Sequence, residues 1–520
     1  MSPPFFFLLF LPFLSLSLSQ QFPRGYLIDC GAPANSVIDG REWVPDDGFI
    51  SAGTSKNLTV TVLHQTLSTV RSFPLQNNLR RKFCYVANVY RGARYLIRTT
   101  YFYGGVNGLD FPLPPVFDQI VDGTLWGVVN TTEDYQKGLS TYYEAIFEAR
   151  GNTMSVCIAP NTYTKSDPFI SSLEMLMLGG SLYNTTNFTT HALHLVARHS
   201  FGHSGSVIRY PDDQFDRIWE PYEENVPVIA SNTTPPVSGF WNIPPSKVFE
   251  KALSTAQLEP LELRWPPGSL PNSTYYIALY FADNSDSMSL SSRMLDIHIN
   301  DVKYYGNLNV TSDGAAVFAT KWLLTGPTKI TLSPASSSNT SPLINAGEVF
   351  NVLELKRRTH TKDVIALEQM KKSLQNPPLD WNGDPCRPVN YSWTGVTCSN
   401  SEGDTDRIRV IALNLTGMGL SGYLAPSIAN LTALSGIWLG NNSLSGVIPD
   451  LSSLKQLEIL HLEDNQLSGE IPSSLGDIGS LRELFLQNNN LTGRVPDNLV
   501  GRTGLTIRTT GNPFLVPPPS

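Results

Sequence analysis

Apolar residues recur at a fixed period in the last hundred or so residues of the chain. Segments 410–415, 434–439, 457–462 and 481–486 each have Leu, Ile or Val at their first, fourth and sixth positions, which predicts short strands. Each segment leads to a Leu-Ser-Gly or Leu-Thr-Gly triplet and then to a proline. The triplets recur every 23 or 24 residues and begin at Leu420, Leu444, Leu467 and Leu491. This period predicts stacked coils, because such a unit buries its leucines only against its neighbours.

The repeat resembles the plant extracellular leucine-rich repeat, L-x-x-L-x-L-x-x-N-x-L-S-G-x-I-P, with four copies over residues 407–502. Asn442, Asn465 and Asn489 occupy the asparagine position, and we expect them to hydrogen-bond backbone groups at the turns. We interpret the positions that recur in this repeat pattern as structural scaffold. A binding function is expected at the variable positions on the concave strand face.

Aligning the four coils places Asn414, Trp438, His461 and Phe485 in one column. Aromatic residues are enriched in binding hot spots, so this column is a candidate partner contact. The alternative is a solvated ladder with incidental aromatics. A charged rim is expected beside the column, from Glu458, Glu463, Asp464, Arg482 and Glu483. The candidate partner-binding residues are Trp438, His461, Phe485, Glu463 and Arg482.

Residues 361–400 precede the repeats and are interpreted as their N-terminal cap, since the exposed apolar end of a solenoid needs covering. Apolar residues at helical spacing open this segment, and Cys386 and Cys398 follow. We expect these two cysteines to pair, which would stabilise the cap by roughly 3 kcal/mol in the chain-entropy model. Half of a zinc site is the alternative, but a second ligand pair of suitable spacing is missing from the sequence.

Upstream, residues 22–355 consist of short runs of β-branched and aromatic residues separated by Gly, Pro and Asn, which predicts a β-rich fold. Segment 95–102 is similar to 275–282, and segment 169–176 is similar to 343–350. An internal duplication explains both similarities. The expected architecture is mainly β: two tandem β-sandwich lobes, 22–205 and 206–358, followed by the cap and a short solenoid.

Several motifs here are similar to the plant malectin-like domain, and the resemblance extends over nearly all of the chain after residue 20. They are Ile28-Asp29-Cys30-Gly31, Arg71-Ser72-Phe73-Pro74, Cys84-Tyr85, Tyr95-Leu96-Ile97-Arg98, Val156-Cys157, Arg209-Tyr210-Pro211-Asp212 and Asp216-Arg217-Ile218-Trp219. With Gly383-Asp384-Pro385-Cys386 and few repeats, the layout resembles the ectodomains of symbiosis receptor-like kinases and malectin-bearing receptor-like proteins. The resemblance implies two malectin-like lobes and a role in surface signalling.

Carbohydrate binding by the lobes is a further hypothesis, because animal malectin binds a diglucose through aromatic residues. Tyr101 and Tyr103, at the end of a predicted strand and before two glycines, are the candidate sugar-contact residues. The alternative is that both rings pack in the core, as tyrosines in strands commonly do.

The N-terminus predicts a secreted protein. Residues 1–19 contain an apolar run followed by small residues, which is typical of a cleaved signal peptide. Thirteen Asn-x-Ser/Thr sequons indicate a heavily glycosylated surface; they are Asn57, Asn130, Asn184, Asn187, Asn232, Asn272, Asn309, Asn339, Asn390, Asn414, Asn430, Asn441 and Asn490. Residues 503–520 are interpreted as a C-terminal tail. An extracellular or plasma-membrane-associated location is expected, with any membrane anchor lying beyond residue 520.

Composition favours a binding protein over an enzyme. A net charge of −8 over 520 residues argues against nucleic-acid binding, and five cysteines leave one without an intramolecular partner. Four histidines fall within thirteen residues, but their spacing does not bring three of them to one point in a strand; they are His191, His194, His199 and His203. We therefore expect no metal, cofactor or catalytic residue.

The predicted function is a non-catalytic, receptor-like or co-receptor-like binding protein at the plant cell surface. Its expected partners are a peptide, a partner ectodomain or a cell-wall glycan, with a receptor kinase as a possible associate. The alternative is a secreted glycan-processing protein with a cleft between the lobes, for which Glu144 and Glu148 are among the carboxylates available.

Overall fold

The computed structural model describes residues 25–59, 64–75, 82–230, 234–283, 293–399 and 408–516. The predicted signal peptide and the sequon at Asn232 lie outside these residues. The described chain is mainly β, as expected, with two lobes, a cap and a solenoid in that order. Neither α-helix in these ranges has the length and apolar composition needed to cross a bilayer.

Within the described residues, lobe 1 contains fourteen strands and one short α-helix, α1 (Thr132–Gln136). The strands, in chain order, are β1 (Gly25–Asp29), β2 (Ser36–Ile38), β3 (Arg41–Pro45), β4 (Thr54–Asn57), β5 (Thr69–Ser72), β6 (Phe83–Asn88), β7 (Arg94–Tyr101), β8 (Phe117–Val121), β9 (Thr124–Val129), β10 (Thr141–Glu148), β11 (Thr153–Pro160), β12 (Phe169–Ile170), β13 (Ser172–Leu178) and β14 (His191–Phe201). Aromatic and β-branched residues fill these strands, and their side chains form a continuous buried core.

Lobe 2 follows, with eleven strands in the part of it that the structure describes. They are β15 (Glu220–Tyr222), β16 (Val228–Ala230), β17 (Lys251–Ser254), β18 (Leu261–Leu263), β19 (Ser269–Phe281), β20 (Arg293–Ile299), β21 (Val302–Val310), β22 (Ala315–Pro327), β23 (Ile330–Pro334), β24 (Leu343–Ile344) and β25 (Ala346–Glu354). This lobe has its own apolar core, and a further buried cluster lies between the two lobes.

The strand order confirms the predicted duplication. Strand β7 lies between β13 and β10, and its counterpart β19 lies between β25 and β22. Each lobe adds one four-stranded and one three-stranded sheet: β6-β11-β8-β9 with β12-β5-β4, and β18-β23-β20-β21 with β16-β17-β24. The lobes are nevertheless continuous, because β14 pairs with β10 on one side and with β25 on the other.

A buried chain of alternating charges runs across this junction. Arg98 pairs with Glu174 and Glu144, each at 2.8 Å between nitrogen and oxygen. Arg198 pairs with the same Glu144 at 2.7 Å and with Glu348 at 2.6 Å. All five side chains are at least 97% buried, so removing one of them would leave an unpaired charge in the interior. The network therefore fixes one lobe against the other.

The cap consists of helix α2 (Thr361–Ser373), a loop, and strand β26 (Val396–Cys398). A disulfide joins Cys386 to Cys398. A second disulfide joins Cys84 to Cys157 on neighbouring strands of lobe 1, a pairing that the sequence had left open, and Cys30 is a buried free thiol.

The loop of the cap docks on lobe 1. The Nζ atom of Lys82 donates to the carbonyl oxygens of Asp384 and Arg387, at 2.7 and 2.9 Å. The hydroxyl of Tyr391 donates to the carboxylate of Asp118 at 2.7 Å. These contacts seat the cap on the four-stranded sheet of lobe 1, beside the Cys84–Cys157 bond.

The solenoid has two parallel stacks of short strands. The first stack contains β27 (Val410–Asn414), β29 (Gly436–Trp438), β31 (Ile459–His461), β33 (Glu483–Phe485) and β35 (Thr506–Arg508). The second contains β28 (Ser421–Tyr423), β30 (Ser443–Val447), β32 (Gln466–Glu470), β34 (Asn490–Arg494) and β36 (Phe514–Val516). Between them the repeat leucines are almost fully buried, and the core continues into α2 of the cap.

The prediction of a tail from residue 503 is wrong for residues 503–516, which form a fifth coil. Strand β35 pairs with β33, and β36 pairs with β34. The coil lacks a Leu-Ser-Gly triplet, but Asn512 occupies the asparagine position and accepts from the backbone N–H of Leu491 at 3.0 Å. That asparagine, 23 residues after Asn489, is the sequence signal that marks the fifth coil.

Candidate binding surface

The solvent-facing side of the sheet β27-β29-β31-β33-β35, called the ladder face below, carries the predicted column. Strand register aligns Asn414 with Trp438, Trp438 with His461, and His461 with Phe485. The fifth coil extends the column to Arg508. The three ring-bearing side chains are each half-buried, whereas Asn414 and Arg508 are exposed.

Neighbouring rings of the column contact one another in different geometries. His461 and Phe485 lie face to face, with ring centroids 4.1 Å apart and planes 11° from parallel. Trp438 meets His461 edge to face at 6.3 Å. At the other end, the guanidinium carbon of Arg508 lies 4.3 Å from the centre of the Phe485 ring, a cation–π contact. Packing between neighbours reduces the rotamer freedom that the rings would lose on binding.

The charged rim lies beside the column, and its residues differ in their hydrogen-bond and ion-pair partners. Oε2 of Glu483 lies 2.8 Å from Nε2 of His461 and accepts a hydrogen bond when that nitrogen carries the proton, so the contact orients the ring. Arg482 and Glu458 are a distant, exposed pair with 3.8 Å between nitrogen and oxygen. Asp464 accepts from the side-chain amide of Asn488 at 2.6 Å. The carboxylate of Glu463 lies against the backbone of Gly440, where an added Cβ would be 2.5 Å from Oε1.

The asparagine positions hold the turns that present this face, which confirms their predicted scaffold role. Asn465 is typical: its Oδ1 accepts from the backbone N–H of Leu444 at 2.9 Å. Its Nδ2 lies 3.0 to 3.2 Å from the carbonyl oxygens of Leu439, Leu462 and Glu463. Asn442 and Asn489 make the equivalent bonds in the neighbouring coils.

Tyr101 and Tyr103, the predicted sugar contacts, are core residues. Both are fully buried, so neither ring offers a face to a ligand. The hydroxyl of Tyr101 donates to Gln119 Oε1 at 3.1 Å, and that of Tyr103 donates to the carbonyl of Phe111 at 2.5 Å. Burial raises the pKa of both phenols above the ordinary value. The prediction of a sugar site there is corrected, because both faces of this strand region are covered.

A partly exposed aromatic pair occurs instead in lobe 2, and the sequence did not predict it. Trp241 and Phe318 stack with centroids 4.3 Å apart and planes 4° from parallel. The indole N–H of Trp241 donates to the hydroxyl of Tyr276 at 2.9 Å. The pair borders a cavity of about 530 Å³ that also includes Asp313. The two rings are far apart in sequence, so no local pattern would have revealed them.

The four clustered histidines have separate environments. Nδ1 of His199 accepts from the indole N–H of Trp265 at 3.1 Å, and burial lowers the pKa of His199 to about 4. His194 lies edge to face with the ring of Trp126. His203 contacts the carbonyl of Ser206, in a different loop environment.

A cavity of about 410 Å³ opens where β10 and β14 diverge, at the junction of the lobes. Glu144 lies in its lining, held by Arg98 and Arg198. Burial alone would raise the pKa of Glu144, but the two guanidinium groups lower it below its ordinary value. A carboxylate held in this way stays ionised, which disfavours the role of proton donor to a glycosidic oxygen.

Two β-sandwich lobes followed by a capped leucine-rich solenoid define the class: a multidomain protein with a malectin-like and leucine-rich-repeat architecture. The malectin-like domain model matches residues 28–352, the leucine-rich repeat N-terminal domain matches 360–399, and the leucine-rich repeat matches 456–478 and 480–501. The chain belongs to the malectin-like domain family.

Curated relatives are plant receptor kinases. A leucine-rich repeat receptor-like serine/threonine-protein kinase of Arabidopsis thaliana is 32% identical over 436 residues, covering 81% of this chain and 48% of that protein. A receptor-like protein kinase of the same plant is 29% identical over 446 residues, covering 82% and 48%. The chain therefore spans about half the length of these relatives.

Solved structures share the fold of the lobes. The ANX2 ectodomain of Arabidopsis thaliana has a TM-score of 0.53 at 16% identity. The match covers 63% of this chain and 96% of the ANX2 chain. A structure of the plant peptide RALF23 in complex with FER and LLG2 includes a chain with a TM-score of 0.52 at 16% identity, covering 64% and 96%. At this identity the likeness is one of fold.

Proposed function

We propose that this chain is the ligand-binding, non-catalytic part of a receptor-like protein at the plant cell surface. Its ladder face contacts a peptide or the ectodomain of a partner. The observation that carries this proposal is the column of Trp438, His461 and Phe485, three half-buried rings aligned on successive coils. Rigid aromatic side chains beside a charged rim are the features of a protein-binding hot spot.

The extracellular location is supported by the sequons. All twelve sequon asparagines among the described residues are exposed, so each is accessible to glycosylation. Asn414 is one of them and lies at the first-coil end of the column. A glycan there would confine a partner to the coils from Trp438 to Arg508. The signal peptide predicted over residues 1–19 belongs to the same proposal.

Known proteins of similar fold support a peptide or protein ligand. The neighbour described above is seen with the peptide RALF23 and with LLG2, and the sequence relatives are receptor kinases. A receptor-kinase associate is therefore included in the proposal. Glycan processing at the junction cavity receives less support, because Glu144 is held by two arginines.

A cell-wall glycan is the second candidate ligand, and the stacked pair of Trp241 and Phe318 is the observation that favours it. Flat, partly exposed rings that border a cavity with the carboxylate of Asp313 offer an apolar face and an acceptor, the two groups that a sugar ring uses. This surface lies in lobe 2, away from the solenoid strands.

The ladder face can be tested with a peptide selected on the intact, glycosylated chain from a random display library. Replacing Trp438 or Phe485 with Ala should weaken binding of that peptide by about 30-fold or more, the effect typical of a hot-spot residue. Affinity is measured by calorimetry or surface plasmon resonance. Tyr423→Ala is the matched control, since Tyr423 is an exposed ring on the other strand stack. Unchanged affinity in both ladder-face variants would place the ligand elsewhere.

A further inference from the structure

A cleft of about 970 Å³, called the cap cleft below, lies between lobe 1 and the cap. Lobe 1 contributes mainly the turns between β8 and β9 and between β10 and β11. The cap contributes α2 and the loop 382–384, and the connector between β25 and α2 completes the lining. This volume is at the upper end of the range typical of ligand pockets. The docking of the cap on lobe 1 therefore creates a cavity to which both parts contribute.

Helix α2 presents one face to the solenoid and another to the cap cleft. Ala366, Leu367 and Met370 are buried in the solenoid core. The residues that line the cleft recur three or four positions apart, which is the spacing of one helical face. They are Thr361, Val364, Glu368, Lys371 and Lys372. The C-terminal end of this face therefore places two ammonium groups at the cleft.

The lining of the cap cleft is rich in positive charge, although the whole chain has a net charge of −8. Five cationic and three anionic side chains line it. The cations are Arg150, Arg357, Arg358, Lys371 and Lys372, and the anions are Asp122, Glu368 and Asp384. A cleft whose charge is opposite in sign to that of the whole chain is complementary to an anionic ligand.

Two of the three carboxylates already have partners in the walls of the cleft. Oδ2 of Asp122 pairs with Arg358 at 3.1 Å, and its Oδ1 accepts from the backbone N–H of Ser155 at 2.8 Å. Asp384 accepts from the backbone N–H of Thr359 at 3.0 Å. These two carboxylates hold the walls together, so most of their charge is not available to the remaining cations.

The remaining cations are incompletely neutralised. Neither Arg150 nor Lys372 forms an ion pair with a carboxylate in the part of the chain that the structure describes. Burial, and then the nearby guanidinium of Arg358, lower the pKa of Arg150 below its ordinary value. Burial likewise lowers the pKa of Lys371, against the attraction of Glu368 and with a contribution from Lys372. Cations therefore repel one another in both walls, and an anion between them would be attracted by both.

The chemistry of the lining favours carboxylates on a flexible chain over a sugar. Guanidinium groups bind carboxylates through paired, charge-assisted hydrogen bonds. Pockets for ring-shaped ligands usually offer aromatic or other apolar surfaces. Among the described lining residues, Val86 and Val364 are the only apolar side chains larger than glycine, and none is aromatic.

We propose that the cap cleft binds an acidic segment of a second polypeptide, whose Asp or Glu carboxylates lie between the arginines beside lobe 1 and the lysines of α2. Arg150 and Lys372 are the principal contacts, and Glu368 opposes binding through like-charge repulsion. No ladder-face residue lines the cleft, so this inference does not depend on the ligand of the ladder face.

The test is fluorescence anisotropy of a labelled hexaglutamate peptide with the intact, glycosylated chain. Hexaglutamate should bind, whereas hexalysine should not. Lys372→Glu replaces an attraction by a repulsion and should weaken binding about fivefold or more, and Arg150→Gln should weaken it about threefold. Glu368→Gln removes a repulsion and should tighten binding about threefold. Lys362→Glu, on the same helix but outside the cleft, is the matched control and should change the affinity by less than about twofold.

Absence of hexaglutamate binding, or an equal loss in Lys362→Glu and Lys372→Glu, would overturn the inference. Tighter binding of hexagalacturonate than of hexaglutamate would also overturn it, because the cleft would then select an acidic glycan. The opposite effects of Lys372→Glu and Glu368→Gln separate loss of the site from loss of the fold. Trp438→Ala should leave the affinity for hexaglutamate unchanged. A loss in that variant would instead place the acidic peptide on the ladder face.

Discussion

At the scale of single residues, asparagine and glycine shape the ladder face more than the rings do. The buried amide of Asn465 bonds to four backbone groups in two coils, which fixes the turn that follows His461. Because Gly436 has no side chain, the indole of Trp438 can lie against the backbone there. Gly440 likewise allows the carboxylate of Glu463 to lie against its backbone. The repeat spacing predicted the alignment of the rings, because matching the leucines of successive coils also matches the positions between them. The orientation of each ring depends on its neighbours and could not be predicted from spacing.

Asn465→Ala should destabilise the solenoid by about 2 to 4 kcal/mol, since it leaves a buried N–H and buried carbonyl groups without partners. Native-state hydrogen exchange at the amides of Leu444 and Leu462 measures the free energy of opening at this turn. Gln466→Ala, at the exposed next residue, is the control. A loss no larger than that of the control would mean that the asparagine positions do not hold the coils together.

At the scale of elements, the cap is as much a part of lobe 1 as of the solenoid. Lys82 is buried between the carbonyl oxygens of Asp384 and Arg387, and Tyr391 reaches Asp118. The motif Gly383–Cys386 was expected from resemblance, but its docking partner was not, because the contact joins segments about 300 residues apart. The fifth coil escaped prediction for a local reason: it keeps the asparagine but lacks the Leu-Ser-Gly triplet.

Replacing Lys82 tests this junction through pH. Burial lowers the pKa of Lys82 from 10.5 to about 8. Between these values the unfolded chain holds a proton that the folded chain has released, so the stabilising contribution of Lys82 rises with pH and is lost as pH falls through about 8. The free energy of unfolding of the wild type, relative to Lys82→Met, should therefore increase from pH 8 to 10.5, by up to about 3 kcal/mol.

Chemical denaturation at several pH values measures that difference, and Lys372→Met on the exposed side of α2 is the matched control. A neutral amine still has two N–H groups for the two carbonyl oxygens, so the contacts survive deprotonation. A difference that stays constant with pH would contradict the burial of this lysine at the junction.

At the scale of the whole molecule, a duplicated β-rich body supports a short solenoid, and the two offer different ligand surfaces. The duplication and the order of the parts could be predicted, because similar strand sequences recur and the repeats have a period. The continuous sheet through β14 and β25 could not, since it pairs strands whose relation is set by tertiary packing. Tyr101 and Tyr103 were wrongly predicted as sugar contacts because their burial, too, is set by tertiary packing. The pair Trp241 and Phe318 comes together only in the folded lobe.

The central claim, that the ladder face and not the lobes contacts the partner, is tested most directly by hydroxyl-radical footprinting with and without the selected peptide. Aromatic side chains are reactive in this measurement, so both surfaces are read in one experiment. The account predicts protection of Trp438, His461 and Phe485 with Trp241 and Phe318 unchanged. Protection of Trp241 and Phe318 with the three ladder-face rings unchanged would contradict it.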